Sequence, residues 1–92
     1  MAGAIAQRVV VLGLVQGVGF RYWTTYEASR IGVTGWVTNR GDGTVLAHVE
    51  GSQADVARLL DWFRSGGPVS AEVDAVEVTD AELEGSKRFE IR

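Results

Sequence analysis

The segment Gln16-Gly17-Val18-Gly19-Phe20-Arg21 sets two glycines, one residue apart, beside a guanidinium. Glycine readily adopts φ > 0, so successive amides can curl toward one point, and such a nest of N–H groups binds anions. The residues after it change to a helical period, which puts the nest at a helix N-terminus, where the dipole favours negative charge. Arg21 can add a planar, bidentate clamp. Amides plus a guanidinium suit a phosphate. By itself, Gly-x-Gly reads equally as a tight strand-to-helix turn with Arg21 solvated in the first helical turn. It is neither a Walker A loop nor a dinucleotide-binding fingerprint, because the lysine-serine pair and the third glycine are absent.

The elements that must position this segment follow from periodicity. Residues 7–15, QRVVVLGLV, are β-branched and apolar on both parities, as in a central strand. In residues 20–32, Phe20, Thr24, Ala28 and Ile31 recur on one helix face, and Gly32 is a natural C-terminal stop. VTGWVTN and TVLAHVEG flank a Gly-Asp-Gly tip and predict a β-hairpin. Its second arm places Val45, Ala47 and Val49 on one face and Leu46 and His48 on the other. Ser52, with Asp55 three residues on, opens a second helix whose Val56, Leu59, Leu60 and Phe63 form an apolar stripe. AVEVTD is a further strand, and FEIR closes the chain. The order β-α-β-β-α-β plus a short last strand predicts an α+β, ferredoxin-like sandwich, two helices on one face of a four- to five-stranded antiparallel sheet. Residues 1–92 read as one domain, with 1–6 expected as a flexible tail.

Composition narrows the function. The 92 residues hold no cysteine, so disulfides, thiolate nucleophiles and zinc-thiolate sites are excluded. No apolar run approaches the ~20 residues of a membrane span. MAGAIAQR lacks a basic, then long apolar, leader pattern, so the cytoplasm is the expected location. The net charge of −3 argues against nucleic-acid binding. It is uneven: residues 1–49 carry four arginines against two acids, and residues 50–92 five cations against ten acids. The glycine segment therefore lies in the positive half. His48 is expected exposed on the open sheet face, with no acid arranged beside it as a metal ligand. Glu72, Asp74, Glu77, Asp80, Glu82 and Glu84 lack calcium-loop spacing and read as a solvated rim. Trp36, Trp62 and Trp23 are expected to pack.

GLVQGVGFR (13–21), followed by GWVTNRGDGTVLAHVEG (35–51), resembles the two signature segments of the acylphosphatase family. GPVSAEVDAVEV and FEIR are also similar to it, so the resemblance spans almost the whole chain from about residue 7. It implies the ferredoxin-like fold already read from the pattern and hydrolysis of acyl phosphates. It also implies that Gln16, Gly17, Val18, Gly19 and Phe20 cradle the substrate phosphate, that Arg21 clamps it, and that Asn39 positions the attacking water. Without the resemblance, Asn39 reads as a residue starting a hairpin turn. Leu14, where many members carry a polar residue, and the missing proline in NRGDG (39–43) are departures; neither replaces Arg21 or Asn39.

The chemistry is consistent with what the chain lacks. A carboxylate leaving group needs little protonation, and phosphoryl transfer asks mainly for positioning and charge stabilisation. Neither a cofactor nor a metal is expected. The expected partners are a small acyl phosphate and inorganic phosphate, as product and inhibitor, with the protein a monomer. Rival readings are a regulatory anion-binding module, which has no use for Asn39, a piece of a larger carbamoyl-phosphate-processing protein, and an RNA-binding domain. The last needs exposed aromatics on the central strands, which TVLAHVEG does not offer. The ends at Met1 and FEIR are read as favouring a free-standing enzyme.

Overall fold

Strand β1 (Ile5–Leu14), β-branched on both faces, is central and paired along both edges; a computed structural model describes residues 3–92. It is followed by α1 (Phe20–Ile31), β2 (Thr34–Asn39), β3 (Val45–Gly51), α2 (Gln53–Arg64), β4 (Glu72–Ala81) and β5 (Phe89–Ile91). The sheet order is β4-β1-β3-β2-β5, with both helices on one face. Val9, Val11, Val37, Val45, Ala47 and Val49 face the helices and are fully buried. Against them α1 buries Phe20, Thr24 and Ala28, and α2 buries Val56, Leu59, Leu60 and Phe63. Each large side chain removed from water contributes about 1.5–3 kcal/mol, so this layer supplies most of the cohesion.

Two features differ from expectation. The sheet is mixed: β5 pairs parallel with β2, while the other pairings are antiparallel. The reason lies in residues 82–88, which leave β4 at one edge, cross the helix-free face and rejoin the sheet at the other edge in the direction of β2. The tail is also shorter than expected, because Ile5 and Ala6 already pair with β3, and Ala6 also pairs with β4. Residues 1 and 2 lie outside the described residues.

That crossing segment buries His48, which is not exposed as expected but has no accessible surface. His48 Nδ1 accepts from Arg8 Nε at 2.8 Å, so Nε2–H donates to Glu50 at 2.6 Å. Glu50 in turn accepts from the N–H of Glu84 at 2.7 Å and of Ser86 at 3.3 Å. Glu84 accepts from Arg8 at 2.8 Å and from the Trp36 indole at 2.9 Å, so it belongs to this lock rather than to a solvated rim. Trp36 stacks on His48, with the Arg8 and Arg92 guanidiniums over its ring.

Burial pushes the Glu50 carboxyl up, but the Glu84 N–H, the His48 ring and the Ser86 N–H outweigh it and hold the carboxyl below its usual range. The Trp36 indole N–H, against desolvation and aided by His48 and Arg8, holds Glu84 low as well. A carboxyl depressed on folding stabilises above its unfolded pKa, about 4.3 for Glu, and loses that contribution as pH falls through the lower folded value. Urea stability should therefore hold from neutral pH to about 5 and fall below about 4.3. Glu50→Gln should lower stability at pH 7 by about 1–3 kcal/mol and flatten the acid limb. An unchanged acid limb in that variant contradicts the assignment.

Candidate active site

The β1–α1 turn is shaped by Gly17 and Gly19, whose φ of 74° and 77° are left-handed values that a side chain disfavours. Gly19 is also the N-cap of α1, and no side chain caps that end. No acid occupies the first turn. By contrast, Ser52 caps α2 by accepting from the Asp55 N–H at 3.1 Å. The first amides of α1 are thus left available to an anion, with the helix dipole behind them.

Three contacts hold the turn. Phe20 is buried and stacks on Phe63 at 5.7 Å between ring centroids. Ser70 Oγ donates to the Val18 carbonyl at 2.7 Å. The Gln16 amide donates to the carbonyls of Arg40 and Thr44 at 2.8 and 2.9 Å. Arg40 N–H closes the hairpin onto the same Thr44 carbonyl at 2.9 Å, so Gln16 ties the turn to the hairpin.

The result is a small cavity of about 190 Å³ between the turn, the end of β2 and the start of α1. Gly17, Gly19, Phe20, Arg21 and Asn39 are among its walls, together with Tyr22 and Ile91. Asn39 reaches it because it ends β2 two residues after Val37, on the helix-facing side, opposite Val45. Its Oδ1 is buried, and no protein group donates to it. Among the described residues the other such atom, Thr24 Oγ1, is not at the cavity. No Asp or Glu among the described residues pairs with Arg21, whose one side-chain hydrogen bond is a long 3.4 Å bond to the main-chain oxygen of Arg92. Of the residues expected at the phosphate, Gln16 and Val18 are not walls: the Gln16 amide is spent on the hairpin, and Val18 packs toward the core.

The family model described as Acylphosphatase matches residues 7–91. The chain belongs to the acylphosphatase family. It is 49% identical over 84 residues to an acylphosphatase of Nocardioides sp., covering 91% of this chain and 84% of that one. The crystal structure of acylphosphatase from Bacillus subtilis superposes with a TM-score of 0.89 at 38% identity, covering 96% of this chain and 98% of that one. The structure of an acylphosphatase from Coxiella burnetii gives 0.91 at 31% identity, with coverages of 97% and 93%. Membership fixes the activity as hydrolysis of acyl phosphates to a carboxylate and inorganic phosphate, by an enzyme whose substrate is a small molecule. No helix among the described residues is long and apolar enough to cross a membrane.

The one acid–histidine group among the described residues, His48 with Glu50 and Glu84, keeps its ligand atoms within 4.8 Å of one another. Sequence reading missed it, because the crossing segment that delivers Glu84 has no periodic signal. His48 and Glu50 already bond to each other, and Glu84 is held by Arg8 and Trp36, so the group is read as a structural lock. Ser70, Tyr22 and Ile91 were also missed; only the aromatic run after Arg21 could have flagged Tyr22.

The Gln16 bond pair yields a direct check. Gln16→Ala should lower unfolding free energy by about 1–2 kcal/mol in urea and also lower turnover, because it frees the turn from the hairpin. Native stability with lost phosphate affinity points instead to direct contact with the anion.

Proposed function

We propose that the substrate phosphate sits in the 190 Å³ cavity on the turn's backbone amides, clamped by Arg21, with the attacking water held by Asn39. The observation that carries this reading is the buried, undonated Asn39 Oδ1 in one cavity with Arg21, which has no Asp or Glu partner among the described residues, and the uncapped start of α1. Leaving a buried acceptor unmet costs about 1–3 kcal/mol, so a donor is needed there, and a water O–H is the smallest. Arg21 is a cation that no Asp or Glu side chain among the described residues engages.

In the reaction the water oxygen forms a bond to phosphorus while the bond from phosphorus to the acyl oxygen breaks. The electron pair leaves with the carboxylate. An amide is a poor base, so the water proton passes to a phosphate oxygen, giving inorganic phosphate. Charge developing on the phosphoryl oxygens meets preorganised amides and a guanidinium in a site that needs no reorganisation. The protein is read as acting without metal or cofactor, as a cytoplasmic monomer inhibited by inorganic phosphate. The β4 edge, carrying Glu72, Asp74, Glu77 and Asp80, opposes edge-to-edge association. An RNA-binding role is disfavoured, since the helix-free sheet face is covered by residues 82–88 and lined with Glu50 and Glu84.

The roles of Arg21 and Asn39 separate experimentally. Arg21→Ala should weaken inorganic phosphate binding at least about tenfold in isothermal titration, since a charge-assisted bond of about 1.5–3 kcal/mol is lost. Arg21→Lys keeps the charge without the fork and should lose most activity while the far-UV spectrum stays native. Asn39→Ala should bind phosphate within a few-fold of wild type and lose turnover by roughly 10²–10³, the effect of removing one preorganised group. Normal hydrolysis by Asn39→Ala removes the water-holding role; lost phosphate binding moves Asn39 into the cradle.

Turnover should also survive excess EDTA. A loss on chelation that a divalent ion restores rules out the metal-free mechanism.

A further inference from the structure

Helix α1 bears Tyr22, Trp23 and Tyr26 at its surface, where a solvated helix face would carry polar residues; the tyrosines are 62% and 52% exposed. Trp23 packs edge-on against both tyrosines, at 5.3 and 5.7 Å between centroids, and so restrains the rings. Beside them, between α1 and β5, runs an open groove of about 480 Å³ walled by Tyr22, Thr25, Tyr26, Ser29, Arg30 and Ile91. Tyr22 and Ile91 are walls of both this groove and the smaller cavity, so the two adjoin.

We propose that this groove receives the acyl part of the substrate and selects acyl phosphates with an uncharged aromatic or medium-length apolar acyl group. The inference rests on the phosphate occupying the adjoining cavity. An acyl phosphate anchored there must send its acyl group out past a wall, and Tyr22 and Ile91 form the wall that opens onto apolar surface. From Tyr22 to Tyr26 the helix rises about 6 Å, and to Arg30 about 12 Å, enough for a benzoyl ring or a chain of several methylenes. The groove's one cation, Arg30, is already bonded to Glu27 at 2.7 Å, which offsets its charge, and the other walls offer a carboxylate on the acyl chain no cation. Rings held in place by a neighbour present apolar area with little ordering cost.

The test compares benzoyl phosphate with acetyl phosphate, which is too short to reach Tyr26. Tyr26→Ser, at a half-exposed position outside the phosphate cavity, should raise KM for benzoyl phosphate about five- to tenfold and leave acetyl phosphate kinetics unchanged. Ser29→Trp, filling the far end of the groove, should raise KM for octanoyl phosphate and spare acetyl phosphate. Equal effects on both substrates, or none on either, in both variants overturn the groove's role while leaving the phosphate site intact. If Tyr26→Ser instead changes the oligomeric state in gel filtration without altering the benzoyl-to-acetyl ratio, the face binds a second copy and the inference fails. A wild type that hydrolyses neither substrate overturns the phosphate-site reading and this one with it.

Discussion

The Gln16 amide, donating to the carbonyls of Arg40 and Thr44, joins parts of the chain 24 and 28 residues apart. The rest of the site depends on that junction. Strands β1 and β2 flank β3, and because both run antiparallel to it, their C-terminal ends lie at the same end of the sheet. The turn after β1 and the last residue of β2 are therefore neighbours by topology. Topology alone sets them only to within the width of a strand. The two bonds from Gln16 set the closer distance, and they do so from the backbone of the hairpin, whose geometry Asp42 stiffens by accepting from Thr44 at 2.6 and 3.0 Å. An arginine at the start of a helix and an asparagine at the end of a strand thus become one cavity.

The two helices show how a local stability element is withheld where the site needs it. Both run 12 residues, and both are pinned to the same sheet. Helix α2 has a Ser52 cap and an acid in its first turn, the usual remedy for unsatisfied amides, worth about 1 kcal/mol. Helix α1 has neither, and its N-cap is a left-handed glycine. What replaces the cap is burial: Phe20, the first helical residue, is inserted against Trp62 and Phe63. Anchoring by an apolar side chain leaves the amides free, whereas anchoring by a cap would have consumed them. An uncapped helix start held by a buried aromatic is compatible with stability only because the core supplies the energy elsewhere.

Much of this was legible in the chain itself. Periodicity located both helices and the hairpin, and the period-two alternation of a strand suffices to put Asn39 on the same face as Val37. The missing cap before Phe20 was visible too, since no Ser, Thr, Asp or Asn precedes it in the turn. What alternation could not show was which surface a long irregular segment covers. His48 lies on the helix-free face as its parity requires, yet it is buried, because residues 82–88 lie across it and carry no pattern that predicts their path. Gln16 was legible as part of the turn, but its side-chain direction was not. A single residue's χ angles are set by partners 24 and 28 positions away, which no local signal encodes.

The covered face and the cavity are connected through β5. This strand has only three residues, and its parallel pairing with β2 begins at Gly35 and ends at Val37. So short an edge strand has little cohesion of its own. Its position is set instead by what precedes it, and the segment before it is tied down by Glu50 accepting from the amides of Glu84 and Ser86. On the helix-facing side, β5 contributes Phe89 to the core and presents Ile91 at the cavity and the groove. The buried His48–Glu50 pair thus acts on the opposite face of the sheet from the site and still fixes one of its walls. The same segment reaches Arg21, whose side chain bonds the main-chain oxygen of Arg92 just past β5, while the Arg92 guanidinium lies over Trp36 of the lock. The fold therefore supports the cavity from two sides, with Ile91 shared between the cavity and the groove. One side is the β1–β3–β2 register, which brings the turn to Asn39; the other is the strap that crosses the sheet and sets β5.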